Sequence, residues 1–270
     1  MRRFYIFGRT ETGPVRSANE DRILVGRFIK NRGGLGLHLV EDDDFMAHYG
    51  LVLAVADGIG GVDGGGIASK LGLSAFDTQF YSAEKTMDVW GGSMAALEAA
   101  GERANHAILE LATKRPELAE MGCTIAGVCL TPKGTLVFHA GDSRVYRFRN
   151  GALKQLTTDD SLVSLAVQAG HITEEEAHES PARHTITNCL GQATFRLHVQ
   201  AGPELRDGDV LLVSSDGLHG LVDIDQIEAA MSAADTVEAM ANDLVDQAIY
   251  QGGNDNISVI VVRVLDGEHE

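Results

Sequence analysis

The sequence predicts an α+β protein: a β-sandwich of two antiparallel sheets flanked by antiparallel helices. Three observations carry this. Short β-rich runs recur along the 270 residues with turn residues between them. Joints such as Thr131-Pro132-Lys133-Gly134 and Asn150-Gly151 have hairpin chemistry, which pairs neighbouring strands antiparallel. Strands and helices also lack the strict alternation that a doubly wound parallel sheet requires.

In chain order, the runs read as strands are residues 3–8, 22–28, 51–56, 124–130, 135–139, 145–149, 195–200, 210–214 and 257–265. Apolar residues at helical spacing mark helices over 67–80, 94–113 and 236–250. A weaker helical pattern covers 161–169 and 173–178, where Thr173-Glu174-Glu175-Glu176 is a capping box. No Pro/Ser-rich linker or internal repeat divides the chain, so residues 1–270 are read as one domain. Residues 30–46 are expected to form a loop insertion, given glycines at 33, 34 and 36 followed by Glu41-Asp42-Asp43-Asp44. The run Arg2-Arg3-Phe4-Tyr5-Ile6-Phe7 is cut short by Gly8-Arg9, too early for a secretory signal, and no apolar stretch is long enough for a membrane span. The expectation is a soluble, cytoplasmic protein.

Composition narrows the partners. With 22 Lys+Arg against 39 Asp+Glu the formal charge is −17. That argues against nucleic acid and anionic membranes, which demand clustered cations, and suits a site that holds cations. The three cysteines, Cys123, Cys129 and Cys189, form neither a disulfide framework nor a zinc motif, and point to a reducing compartment.

The informative pattern is a set of aspartates where apolar strands stop. Residues 51–56 run into Asp57-Gly58, and 210–215 run into Asp216-Gly217. Residues 138–141 precede Asp142, and Gly252-Gly253-Asn254 leads into Asp255-Asn256. A single Asp-Gly pair is ordinary turn chemistry. Four such strand ends hold carboxylates rigidly, and carboxylates converging without basic partners need a cation to stay charged. Oxygen donors without Cys or His favour Mg²⁺ or Mn²⁺ over zinc, and the glycine after Asp57 lets its carbonyl approach a metal. Arg16, in Arg16-Ser17-Ala18-Asn19-Glu20-Asp21, reads either as a surface ion pair with its acidic neighbours or as a planar clamp for a phosphate group.

Rival motifs fail. No Gly-Lys dipeptide exists for a P-loop, Gly58-Ile59-Gly60-Gly61-Val62-Asp63 has Asp where a dinucleotide fingerprint needs Gly, and no Gly-x-Ser-x-Gly elbow occurs. His106, His171, His178 and His184 show no zinc-ligand spacing and are read as surface residues.

Six blocks in order resemble the metal-dependent PPM/PP2C family of protein serine/threonine phosphatases, in its compact bacterial form. They are Arg16-Ser17-Ala18-Asn19-Glu20-Asp21, Val55-Ala56-Asp57-Gly58-Ile59-Gly60-Gly61, Gly122-Cys123-Thr124, Gly141-Asp142-Ser143-Arg144, Ser215-Asp216-Gly217-Leu218 and Asp255-Asn256-Ile257-Ser258. The resemblance implies a PP2C-like sandwich that hydrolyses phosphoserine and phosphothreonine on proteins through water activated by two Mn²⁺ or Mg²⁺ ions. By the same resemblance Asp57 bridges the ions, the Gly58 carbonyl binds one, and Asp216 and Asp255 bind the other. Glu20 and Asp21 match an acidic pair near this centre, Asp142 with Asp216 matches a third-metal site, Arg16 holds the substrate phosphate, and Asn256 supports the last ligand.

Two departures stand out. Some members have His where Ile59 stands, as an acid for the leaving group, and bacterial relatives often have His where Asp160 stands, at the start of a flap expected over 159–190. The implied partners are phosphoprotein substrates and a cognate Ser/Thr kinase, with a monomeric enzyme and no membrane insertion. The alternatives are a pseudophosphatase scaffold and a small-molecule phosphoester hydrolase on the same fold.

Overall fold

In the computed structural model, which describes residues 1–60, 64–82 and 89–267, the apolar runs pair into two sheets. The elements in order are β1 (Arg2–Glu11), β2 (Arg22–Val25), β3 (Phe28–Lys30), β4 (Gly33–Val40), α1 (Asp44–Tyr49), β5 (Leu51–Ala56), β6 (Gly58–Ile59), α2 (Gly64–Ser82), α3 (Val89–Lys114), β7 (Gly122–Cys123), β8 (Ile125–Thr131), β9 (Gly134–Ala140), β10 (Arg144–Arg149), β11 (Ala152–Gln155), α4 (Leu162–Gln168), α5 (Glu174–Glu179), β12 (His198–Ala201), β13 (Val210–Ser214), α6 (Asp216–His219), α7 (Ile224–Ala233), α8 (Val237–Tyr250) and β14 (Ile257–Asp266). One sheet runs β11-β10-β13-β14-β1-β4, the other β12-β9-β8-β5-β2-β3, and β6 with β7 forms a small ribbon. The pairings in both sheets are antiparallel, as the hairpin chemistry predicted. Asn150 and Gly151, both at positive φ, turn β10 into β11.

Three apolar layers hold the molecule together. Between the sheets lie Ile6, Val25, Leu53, Val55, Val128, Val137, Val213, Ile260 and Val262, all but fully buried. Each such side chain contributes roughly 1.5–3 kcal/mol of transfer free energy. Outside the second sheet, α2 and α3 pack through Leu73, Phe76, Phe80, Leu97 and Ile108, with Phe76 stacked on Phe138 of β9 at 5.3 Å. Outside the first, α7 and α8 pack through Ile227, Met231, Met240 and Leu244. A strand with apolar material on both faces shows no alternation, which is why β5 and β13 read as continuous apolar runs.

The stretch expected to be a loop insertion at 30–46 is corrected. Residues 33–40 form β4, the edge strand paired with β1 from Arg3↔Val40 to Thr10↔Gly33. Leu35, Leu37 and Leu39 pack against the inter-sheet core, and the intervening Gly34 and Gly36 leave room for the Phe7 ring lying over them. Glycines at alternate positions hid a period-two pattern. The acidic run that follows caps a helix: Asp43 accepts from the Phe45 N–H at 2.9 Å at the start of α1. The single strand expected over 22–28 is also two, β2 and β3, because Gly26 at φ 63° starts a turn. Gly61, Val62 and Asp63, which end the Asp-Gly block, lie outside the described residues.

Candidate metal centre

The strand ends that carry the aspartates lie side by side. Asp57 follows β5, and its backbone is fixed to the neighbouring strand: Thr124 donates its N–H to the Asp57 carbonyl at 2.8 Å, and the Asp57 N–H donates to Thr124 Oγ1 at 3.1 Å. Ser143, next to Asp142, shares a 2.7 Å hydrogen bond with the same Thr124 hydroxyl. Asp216 opens α6 directly after β13. Asp21, fully buried, accepts from Ser215 Oγ at 2.8 Å, and that hydroxyl accepts the Ser258 N–H at 3.0 Å. Hydrogen bonds thus tie most of the motif blocks to one another.

Asn256 braces the block at residues 16–21 further. Its amide donates to the carbonyls of Thr12 and Ala18 at 2.9 and 3.0 Å, while its Oδ1 accepts the Glu20 N–H at 2.8 Å. It therefore orders the loop carrying Arg16, Glu20 and Asp21. Backbone crowding sets two glycines. A Cβ on Gly58 would collide with the Gly65 carbonyl oxygen, and one on Gly217 with that of Asn256. The close pass at Gly217 sets the loop of Asp255 against the helix of Asp216.

The electrostatics are those of crowded carboxylates. The surrounding protein pushes Asp57 well above the usual carboxylate range, and the charges of Asp21, Asp216 and Asp142 push the same way. Burial raises Asp21 to about 7 against hydrogen bonds from Ser258 and Ser215, with Asp216 and Asp255 adding repulsion. Burial, with Asp216 and Asp159, raises Asp142 to about 7. One oxygen each of Asp21 and Asp216, Oδ1 in both, is buried without a hydrogen-bond partner, and such atoms ordinarily have one. An all-oxygen donor set with two unpartnered carboxylate oxygens fits hard divalent cations.

Two expected residues stand differently. The Glu20 carboxylate accepts the Gly66 N–H at 3.2 Å, which places it at the N-terminus of α2, on the edge of the ring. Arg16 makes its ion pair with Asp255, Nη2 to Oδ2 at 2.8 Å, rather than with Glu20 or Asp21. Its side chain is half exposed, at the rim.

The segment 159–190 lies beside the centre. Arg144 grips Asp159 bidentately, with contacts of 2.7 to 3.1 Å, and so fixes the segment's entry. Its far end is held where Leu190 bridges Cys123. Between the segment and the centre is a cavity of about 450 Å³, lined by Asp142, Asp216, Arg183, His184 and His219 among others. His184 is exposed, as expected, yet its Nδ1 comes within 3.7 Å of Asp216 Oδ2, and the nearby Asp216 carboxylate raises its pKa. Sequence reading missed this role because nothing in the local spacing of His184 points to a residue 32 positions on.

The model of the protein phosphatase 2C family matches residues 38–252, and the chain belongs to that family. The serine/threonine protein phosphatase PstP of Mycobacterium tuberculosis is 34% identical over 243 residues, covering 88% of this chain and 45% of that protein. The chain therefore spans about half the length of that relative. The serine/threonine phosphatase stp of Listeria monocytogenes is 28% identical over 262 residues, 94% of each chain. The crystal structure of the PstP catalytic domain with two manganese ions superposes with a TM-score of 0.75 at 31% identity, covering 98% of this chain and all of that one.

Proposed function

We propose that the chain is a Mn²⁺- or Mg²⁺-dependent phosphatase that hydrolyses phosphoserine and phosphothreonine on proteins. The observation that carries this reading is the ring of Asp21, Asp57, Asp142 and Asp216, mutually repelling and with two unpartnered oxygens. Among the described residues no three of these carboxylates bring one ligand atom each within 4.8 Å of one another. Asp57 and the Gly58 carbonyl would hold two ions together with Asp216 and Asp255, and Asp21 and Glu20 would support them from the side. Asp142, with Asp216, would hold a third. When bound, divalent ions lower the pKa of water and neutralise phosphoryl oxygens.

The chain's own residues do the positioning. Arg16 holds the phosphate: its guanidinium reaches the rim beside Asp255, and its planar fork matches two phosphoryl oxygens. Asn256 keeps Arg16, Glu20 and Asp21 in register by holding their loop at three points. The 159–190 segment is the flap over the cavity that receives the phosphoprotein, and Ile59 leaves proton delivery to the leaving alkoxide without a side chain at that position. The physiological setting proposed is the cytoplasm, opposite a Ser/Thr kinase, as a monomer. Among the described residues no helix is long and apolar enough to cross a membrane.

Phosphothreonine peptides and a chromogenic aryl phosphate, each assayed with Mn²⁺ and with chelator, test the proposal. Mn²⁺-dependent release of phosphate from the peptides is expected. Peptide binding without turnover would make the chain a scaffold, and turnover of the aryl phosphate alone would make it a small-molecule hydrolase.

A further inference from the structure

A second cluster of metal-ligating side chains lies outside the carboxylate ring. His139 on β9, Asp160 at the start of the 159–190 segment and His198 on β12 each offer one ligand atom within 4.8 Å of the others. Among the described residues this is the one group of three that does so. β9 and β12 are neighbours in the sheet, and His139 is the register partner of His198. Their rings stack with centroids 4.9 Å apart.

The surroundings hold these groups as a metal site would. Asp160 Oδ2 is engaged by the Asn188 amide at 2.7 Å and by the Gly141 N–H at 3.1 Å, while Oδ1 faces His198 Nε2 at 3.1 Å. One carboxylate oxygen is thus oriented from outside, and the other is turned to an imidazole. His139 Nε2 lies 2.8 Å from the Thr158 carbonyl. A ring nitrogen there must carry the proton, so in the neutral ring Nδ1 keeps a lone pair. A ligating histidine ordinarily gives its other N–H to just such an acceptor. His139 is buried and that burial lowers its pKa, so both stacked rings are not held charged against one another.

We propose that His139, Asp160 and His198 bind a divalent cation of borderline softness, with Zn²⁺ as its probe, separately from the hard-cation centre. Two imidazoles and a carboxylate are a donor set for such an ion, at bond lengths of about 2.0–2.2 Å, with a fourth position open to water. Small side-chain movements close the present span to that reach. The His198–Asp160 hydrogen bond is replaced: His198 carries its proton on Nδ1, and Nε2 and Oδ1 both turn to the ion. The ion would tie the entry of the 159–190 segment to β12, the strand that follows it, and to β9, the strand leading to Asp142.

Zn²⁺ titrated calorimetrically into the full chain in millimolar Mg²⁺ tests this, with the visible absorption of Co²⁺ as a second readout. Asp57→Asn, which disables the carboxylate centre, should retain one Zn²⁺ site. His198→Gln, at a partly exposed position, should weaken that site at least ~10-fold, given that loss of mere supporting partners of a metal ligand costs 10–100-fold. It should leave Mn²⁺-dependent turnover in place, and His139→Gln should repeat the loss of zinc. If His139→Gln fails to fold, His198→Gln decides. The proposal is overturned if wild type binds no zinc under these conditions. It is equally overturned if Asp57→Asn abolishes zinc binding or if His198→Gln binds zinc as wild type does.

Discussion

The carboxylate centre and the 159–190 segment beside it are built by opposite means. Asp57 and Asp216 end strands that are buried on both faces and paired on both sides, so their Cα positions follow from the sheet ladders. The segment has helices α4 and α5 without a single fully buried residue. It meets the body through polar contacts at Asp159, Asp160 and His184 and, at its far end, through Leu190, which bridges Cys123 and is buried in the core beneath α2 and α3. Apolar packing cannot adjust without leaving voids, whereas polar contacts exchange partners readily. On the proposed reading, chemistry sits on the sheets and selectivity belongs to the segment.

The sharpest way to break this contrast is Asp57→Asn. Losing the carboxylate between the ions should remove several kcal/mol of transition-state stabilisation, about 10³-fold or more in turnover. Melting of the metal-free protein should rise, because an amide spares the cost of holding an ionisable carboxyl among Asp21, Asp216 and Asp142. A variant with near-wild-type turnover would show that the strand ends do not carry the chemistry.

Arg16→Ala follows in size. Charge-assisted bonds to the phosphoryl group are worth about 1.5–3 kcal/mol, so kcat/KM on a phosphopeptide should fall roughly 10- to 150-fold. Arg16→Lys should recover part of this, since an ammonium keeps the charge and loses the fork. Wild-type kinetics for Arg16→Ala would reduce the Asp255 ion pair to a surface contact worth at most about 1 kcal/mol. Asp142→Ala should cost less turnover than Arg16→Ala and leave two ions bound by equilibrium dialysis. Loss of all metal on that change would move Asp142 into the central pair.

A smaller effect separates the two regions by pH. In the metal-free protein Asp21 and Asp142 keep protons up to about 7, against an ordinary 3.8 in the unfolded chain. The folded state binds more protons across that window, so stability should fall as pH rises through it. Mn²⁺ should reverse the trend in thermal melts, because ions replace the protons. A metal-free melting temperature that instead rises with pH across this window would place those carboxylates in ordinary solvent.

The two regions also differ in how far the sequence discloses them. The runs at 51–56 and 210–214 match β5 and β13 residue for residue, since uninterrupted apolar stretches ending in Asp-Gly have few other uses. Thr173 and Glu176 form the capping box that their spacing announced. The edge strand β4 was hidden by its glycines. Helix α7 was not read, although Asp223 and Gln226, whose Oε1 accepts the Asp223 N–H at 3.2 Å, offered a start signal. Pairings such as Arg16 with Asp255 span 239 positions, and the His139–Asp160–His198 cluster draws on three distant elements. No local period encodes such meetings; only the order of strands in the sheets brings them about.

The central claim is that the strand-end aspartates hold the ions that hydrolysis requires. It is tested most directly by titrating Mn²⁺ into the stripped protein and reading occupancy and phosphothreonine-peptide turnover in the same samples, for wild type and Asp57→Asn. The account predicts no turnover without metal, activity rising with the second Mn²⁺ bound to wild type, and neither that occupancy nor that activity in Asp57→Asn. Full turnover by rigorously metal-free protein, or two Mn²⁺ bound as tightly by Asp57→Asn as by wild type, would contradict it.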